Sequence, residues 1–171
     1  MLKETVPQLT SVGVFWDPAT GTTKLRALET AAHTLKLKLE MIELRERADL
    51  ERAFQSAKLR GVGALLFLSS PIIGTNTKFL ADLALAQRLP AVTVFTDFAR
   101  DGGLMAYGPN LLAFFRQSGV LAAKVLRGDK PADLPIETPT KFEFVLNLKT
   151  AKILGIHVPA SVLLRADDVI E

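Results

Sequence analysis

Short apolar runs alternate along the chain with longer segments whose apolar residues recur every third or fourth position. Residues 12–16, 39–44, 64–68 and 90–95 read as strands, three of them near-continuous runs of aliphatic, β-branched and aromatic side chains. Such runs mark strands buried on both faces. Between them, Leu25, Leu28, Ala32 and Leu35 share one helical face. Leu50, Ala53, Phe54 and Ala57 share another, and Phe79, Leu80, Leu83 and Leu85 a third. Thr22 or Thr23 is placed to cap the first of these helices, Asp49 the second, and Thr75 or Asn76 the third. Residues 2–9 read as a short helix end. Strands alternating with amphipathic helices predict an α/β fold: a doubly wound parallel sheet of order 2-1-3-4, with a fifth strand to follow.

Residues 102–139 depart from that alternation. A glycine pair leads into a strand-like stretch, Leu104-Met105-Ala106-Tyr107. Asn110 then opens a helix running to about Leu126, with Leu111, Phe114, Phe115, Leu121 and Val125 apolar and Gly128 as its stop. Pro131, Pro135 and Pro139 predict an extended return. Residues 142–146 supply the fifth strand of the sheet, and Gly155 stops the helix after it. The chain is therefore expected to divide into a lobe of residues 1–101 and 140–171 and a crossover segment of residues 102–139. Leu104, Met105, Leu111, Phe114, Phe115, Leu121 and Val125 find no partner in that lobe. Such a patch predicts a segment folded back on its own domain, or a homodimer in which two copies exchange the segment about a two-fold axis.

Composition narrows the function. The 171 residues are 49% hydrophobic and 23% charged, with a net charge of +3, so a packed core is expected and disorder is not. The charges are interspersed, and no basic stripe with interleaved aromatics argues for nucleic acid. There is no cysteine. His33 and His157 stand alone, without the spacing of a metal site. No serine–histidine–acid set, nucleophile elbow or Walker loop is present, so the chain reads as a binding module, not an enzyme, and no cofactor is expected. The hydroxyl-rich loop of residues 19–23 faintly resembles a flavodoxin phosphate loop, but the aromatic loops of a flavin site are missing. A phospho-receiver would need an acceptor aspartate where Ser69-Ser70 stands. The amino terminus has no apolar signal-peptide core, and no run approaches a membrane span.

In an open α/β sheet, ligands bind at the carboxyl ends of the strands, beside helix amino termini. Residues 17–23, 69–75, 96–98 and 107–110 occupy those edges. Thr22, Thr23, Ser69, Ser70 and Thr96 offer hydroxyl donors for a carboxylate. Asp17 or Asp97 offers an acceptor for an ammonium group, and Trp16, Phe98 and Tyr107 offer aromatic faces. The same residues also suit local duties: Thr22 and Thr23 as helix caps, Asp17 as a turn residue before Pro18, Trp16 as core, Tyr107 as crossover packing.

The runs GGLMAYGPN (102–110), GDKPADLPIETPTKFEFVLNLKTAKILGI (128–156) and PASVLLRADDVIE (159–171) resemble the carboxy-terminal half of ABC-transporter substrate-binding proteins of the tryptophan/tyrosine type. The resemblance covers essentially the whole chain. It implies one lobe of a type I periplasmic-binding-protein fold, a small ligand such as an aromatic amino acid, an ABC permease as partner of the full-length protein, and a periplasmic or membrane-anchored extracytoplasmic location. The amino-terminal lobe and export signal of that family are not in this sequence. A complete chain of this length would instead be a cytoplasmic, truncated relative acting as a dimeric interaction domain.

Overall fold

The computed structural model describes residues 1–171. In chain order the elements are α1 (Leu2–Thr5), β1 (Ser11–Trp16), α2 (Thr23–Thr34), β2 (Lys38–Glu43), α3 (Asp49–Leu59), β3 (Ala64–Phe67), α4 (Pro71–Gly74), α5 (Thr77–Ala86), β4 (Ala91–Thr93), α6 (Thr96–Arg100), β5 (Met105–Pro109), α7 (Leu111–Leu126), β6 (Phe142–Asn147), α8 (Leu148–Leu154), α9 (Ala160–Leu163) and β7 (Asp168–Ile170). One sheet of seven strands runs in the order β2-β1-β3-β4-β5-β6-β7. Its first five strands are parallel, β6 is antiparallel to β5, and β7 is parallel to β6. No helix is long and apolar enough to cross a membrane.

The register sorts the side chains onto two faces. Phe15, Phe67, Thr93 and Ala106 are successive partners across β1, β3, β4 and β5, as are Val14, Leu66, Val92 and Met105. The first set meets α3, α5 and α6. There Phe67 lies 5.1 Å from Phe15 in a tilted pair, and 6.0 Å from Phe54 and 5.5 Å from Phe98, ring centre to ring centre, in edge-to-face pairs that add to simple burial. The second set meets α1 and α2 near β1, through Leu2, Val6 and Leu28, and α8 and α9 near β5, through Ala151 and Val162. Both faces are thus covered, which is why the parallel strands read as apolar runs.

The fifth strand is not where the sequence placed it. Met105–Pro109 pairs in parallel with β4, and residues 142–147 form the sixth strand beside it. Leu104 and Met105, expected to lack partners, are buried at 1% and 0% exposure. The chain therefore leaves the sheet after Pro109 rather than at Gly102. Beyond that point the apolar helix forms as expected, with the Asn110 side chain accepting from the Ala113 N–H at 2.7 Å, but α7 contains no buried residue. It does not fold back on its own domain: Leu112, Phe115 and Leu126 are among its exposed side chains. Two caps also differ. Asp49 lies inside α3, and its carboxylate accepts from the backbone N–H groups of Arg45 and Glu46, closing the turn that enters the helix. Thr22 does precede α2 but makes no side-chain cap bond.

Candidate functional site

The parallel strands β1, β3, β4 and β5 are neighbours in the sheet, so their carboxyl ends form one continuous edge. Asp17, Thr22 and Thr23 follow β1; Ser69 and Ser70 follow β3; Thr96 and Asp97 follow β4; and Tyr107 lies near the end of β5. Each residue singled out from the sequence is therefore on this edge, but in different circumstances.

Asp17 is 6% exposed, and its carboxylate accepts from the Ala19 N–H at 2.9 Å, capping a single turn at Pro18–Thr20. Ser70 is 4% exposed, and its hydroxyl accepts from the Ile73 N–H at 3.3 Å at the start of α4. Both hold their own loops. Thr22, Thr23 and Ser69 are exposed. Thr96 accepts from Arg100 Nη1 at 3.0 Å, and the exposed Asp97 carboxylate lies 3.7 Å from the same guanidinium. Tyr107 sits on the other face of the sheet from α6, half exposed, stacked on Phe142 with ring centres 5.8 Å apart. Phe98, expected as an aromatic platform, is wholly buried against Phe67. It points inward because α6, a helix the sequence reading missed, starts directly at Thr96. Trp16 ends β1 and is partly buried.

Two cations at this edge escaped the sequence reading. Lys24 Nζ donates to the Ser69 carbonyl at 2.7 Å, bridging the loops after β1 and β3. A lysine in the first turn of a helix runs against the helix dipole, and that mismatch was the available signal. Arg100 faces Asp97, Glu143 and Asp168 at 3.7, 3.7 and 3.3 Å. Glu143 also accepts from Asn110 Nδ2. This network joins α6, β6 and β7, elements too far apart in sequence for spacing to reveal it. The edge thus combines hydroxyls, two cations and four carboxylates, Asp17 among them.

No group of three or more His, Cys, Asp or Glu side chains is placed to hold a metal ion. Two cavities lie next to this edge, one touching Asn110 and the other Thr75. One, of about 610 Å³, opens between α7 and residues 137–141, with Phe114, Arg116, Gln117 and Leu121 on the helix side. The other, of about 370 Å³, lies where Arg47 meets Asn76 and Phe79. The carboxylates with lowered pKa are elsewhere. Asp49 is held down first by the Arg45 and Glu46 N–H groups, Glu40 first by Lys38, and Glu4 first by the terminal ammonium group.

An open, doubly wound sheet with its polar loops along one carboxyl edge, and a helical excursion leaving beside that edge, defines a lobe of the periplasmic-binding-protein type. The sequence model of the ABC transporter substrate binding protein family matches residues 1–170, and the chain belongs to that family. Among solved structures, a conserved domain protein from Vibrio cholerae superposes with a TM-score of 0.90 at 23% identity, over 98% of this chain and 57% of that one. The ABC domain in complex with L-Trp from Streptococcus pneumoniae gives 0.89 at 22% identity, over 99% and 58%. A ligand-free, open substrate-binding protein with adhesive properties from Clostridium difficile gives 0.69 at 19% identity, over 99% and 57%. The chain therefore spans less than three fifths of the solved chains it resembles. No curated protein matches the sequence.

Proposed function

We propose that the carboxyl edge of β1, β3, β4 and β5 is one wall of a cleft that binds a small zwitterion, an amino acid with an aromatic side chain in the first instance. The contiguous edge of hydroxyls and charges carries this reading. Thr22, Thr23, Ser69 and Thr96 donate to the ligand carboxylate, with the first N–H groups of α2 beside them. Asp97, only loosely paired, accepts from the ammonium group. Asp17 and Ser70 fix the loops, and Trp16 and Tyr107 border the edge. The L-Trp complex of the streptococcal neighbour supports the choice of ligand. In a longer protein a second lobe supplies the facing wall, closure signals an ABC permease, and the protein works outside the cytoplasm.

One wall supplies roughly half the contacts, while the loss of ligand freedom opposes binding by about 4 kcal/mol or more. The 171-residue chain should therefore bind only in about the millimolar range. The test is amide chemical-shift mapping of the labelled chain with L-tryptophan and a panel of other amino acids. Saturable shifts at Thr22, Ser69, Thr96 and Asp97 are expected. Shifts confined to the 610 Å³ cleft beside α7, or none anywhere, would overturn the assignment.

A second reading rests on α7, whose exposed apolar side chains suit an interaction domain that has kept the fold without the ligand. It gains if ligands leave the edge amides unmoved while the chain self-associates.

A further inference from the structure

Lys24 and Arg100, the two cations of the carboxyl edge, have opposite surroundings. Arg100 faces the carboxylates of Asp97, Glu143 and Asp168, one positive charge against three negative ones. Lys24 is in no ion pair. Its ammonium group donates to the Ser69 carbonyl at 2.7 Å, and that neutral oxygen takes one of its three donors. The Asp17 carboxylate, in the same loop, is turned to the Ala19 N–H. The edge is therefore polarised along the sheet. It is positive between the ends of β1 and β3, and negative from Asp97 across to β6 and β7.

Nothing local accounts for a charge at Lys24. The residue lies in the first turn of α2, where a cation opposes the helix dipole. A surface lysine ordinarily carries its ammonium group out into water on a flexible stem. Here the stem is only partly exposed, and the charge is drawn across the gap between the loops after β1 and β3. Thr22, Thr23 and Ser69 around it are exposed, and the Thr22 hydroxyl makes no cap bond. A positive charge without an acid, beside uncommitted hydroxyls, is complementary to a carboxylate that the chain itself does not supply.

We infer, on the basis of the cleft proposed for this edge, that Lys24 is the charged contact of the ligand carboxylate and sets the direction in which an α-amino acid lies. The carboxylate goes between the ends of β1 and β3, and the ammonium group goes toward Asp97. Strands β3 and β4 are neighbours, about 5 Å apart. The Ser69 loop that holds the Lys24 ammonium group and the loop that carries Asp97 are therefore side by side, which suits two charges borne one carbon apart. The two remaining donors of Lys24 serve the carboxylate oxygens, a charge-assisted contact stronger than the hydroxyls alone provide. Lys24 is thus the residue that separates amino acids from amines of the same shape, because an amine leaves its ammonium group unanswered.

The test titrates the labelled chain and its Lys24→Met variant with L-tryptophan and with tryptamine, which lacks the carboxylate. Amide shifts report the edge, and the carbon-13 signal of the Lys24 ε-methylene, assigned by its loss in the variant, reports the contact itself. L-Tryptophan should shift that signal together with the Ser69 amide, and tryptamine should not. Lys24→Met should raise the dissociation constant for L-tryptophan about fivefold or more and leave the response of Asp97 to tryptamine unchanged. Circular dichroism checks that the variant keeps the fold. A Lys24 signal that stays still while the edge amides move overturns the inference and leaves the cleft standing. So does a variant that binds L-tryptophan as the parent does. Equal losses for both ligands would make Lys24 a clasp between loops and overturn it as well. Edge amides that respond to neither ligand in the parent chain would remove the cleft, and the role of Lys24 with it.

Discussion

A β-carbon on Gly108 would lie 1.8 Å from the carbonyl oxygen of Val94. The end of β5 therefore presses directly on the backbone that follows β4, bringing the Tyr107 edge beside the loop that carries Thr96 and Asp97. Backbone atoms cannot yield as a flexible side chain can. Gly108→Ala should destabilise the protein by about 3 kcal/mol or more, read from urea unfolding. Gly119, on exposed α7, has nothing within 4 Å of its would-be β-carbon. Gly119→Ala should increase helicity by circular dichroism, worth up to about 1 kcal/mol to that helix.

Asn147 clamps three elements. It is 4% exposed, donates through Nδ2 to the Ala99 carbonyl at 2.9 Å and accepts at Oδ1 from the Thr150 N–H at 3.0 Å. Thr150 Oγ1 adds a 2.7 Å bond to the Gly102 carbonyl. Asn147→Ala strands a buried carbonyl and an N–H and should cost about 3 kcal/mol, while Thr150→Val should cost about 1 kcal/mol. Thermal unfolding of the two variants checks the ranking.

Asp49 gives stability a defined acid limb. Its pKa lies below the ordinary aspartate value of 3.8, mainly because the Arg45 and Glu46 N–H groups bind the charged form. A carboxyl whose folded pKa is depressed stabilises the fold above its unfolded pKa, and the contribution fades as pH falls through the folded one. Asp49→Asn should therefore melt below the parent near neutrality, with the gap closing below about pH 4. A gap that stays constant down to pH 2 would contradict the assignment.

The sheet was legible because both its faces are buried: residues 12–16 and 64–68 read as strands from apolar content alone, and the first four strands take the expected order. The fifth was misplaced because Leu104-Met105-Ala106 follows Gly102-Gly103, which looked like an exit. In fact a β-carbon at Gly103 would sit 2.2 Å from the Phe98 ring, so that glycine serves close packing inside the lobe. Loop hydroxyls could be located on the carboxyl edge because strand ends are visible in sequence. Which of them were already used, as Ser70 is by Ile73, depends on turns that sequence does not display. The Asn147-Leu148-Lys149-Thr150 run, part of the family resemblance, proves to be a packing clamp in this chain. Arg100 was missed because its partners Glu143 and Asp168 arrive from strands far along the chain.

Arg100 also separates structural from ligand-binding roles at the edge. Its guanidinium faces three carboxylates, with side-chain exposures of 76% at Asp97, 28% at Glu143 and 47% at Asp168. Exposed pairs contribute little, from nothing to about 1 kcal/mol each, so Arg100→Met should cost about 1 kcal/mol at low ionic strength. Most of that should fall on Glu143, the least exposed of the three. Raising the salt to about 1 M shortens the screening length to about 3 Å and should bring the parent and variant melting curves together. Glu143→Gln introduced into the Arg100→Met protein should restore part of the loss, and the double-mutant cycle isolates that coupling. If Arg100 serves only this network, Arg100→Met leaves ligand-induced shifts at Ser69 and Thr22 intact. Loss of those shifts in a variant that still folds would make Arg100 a direct contact to the ligand carboxylate.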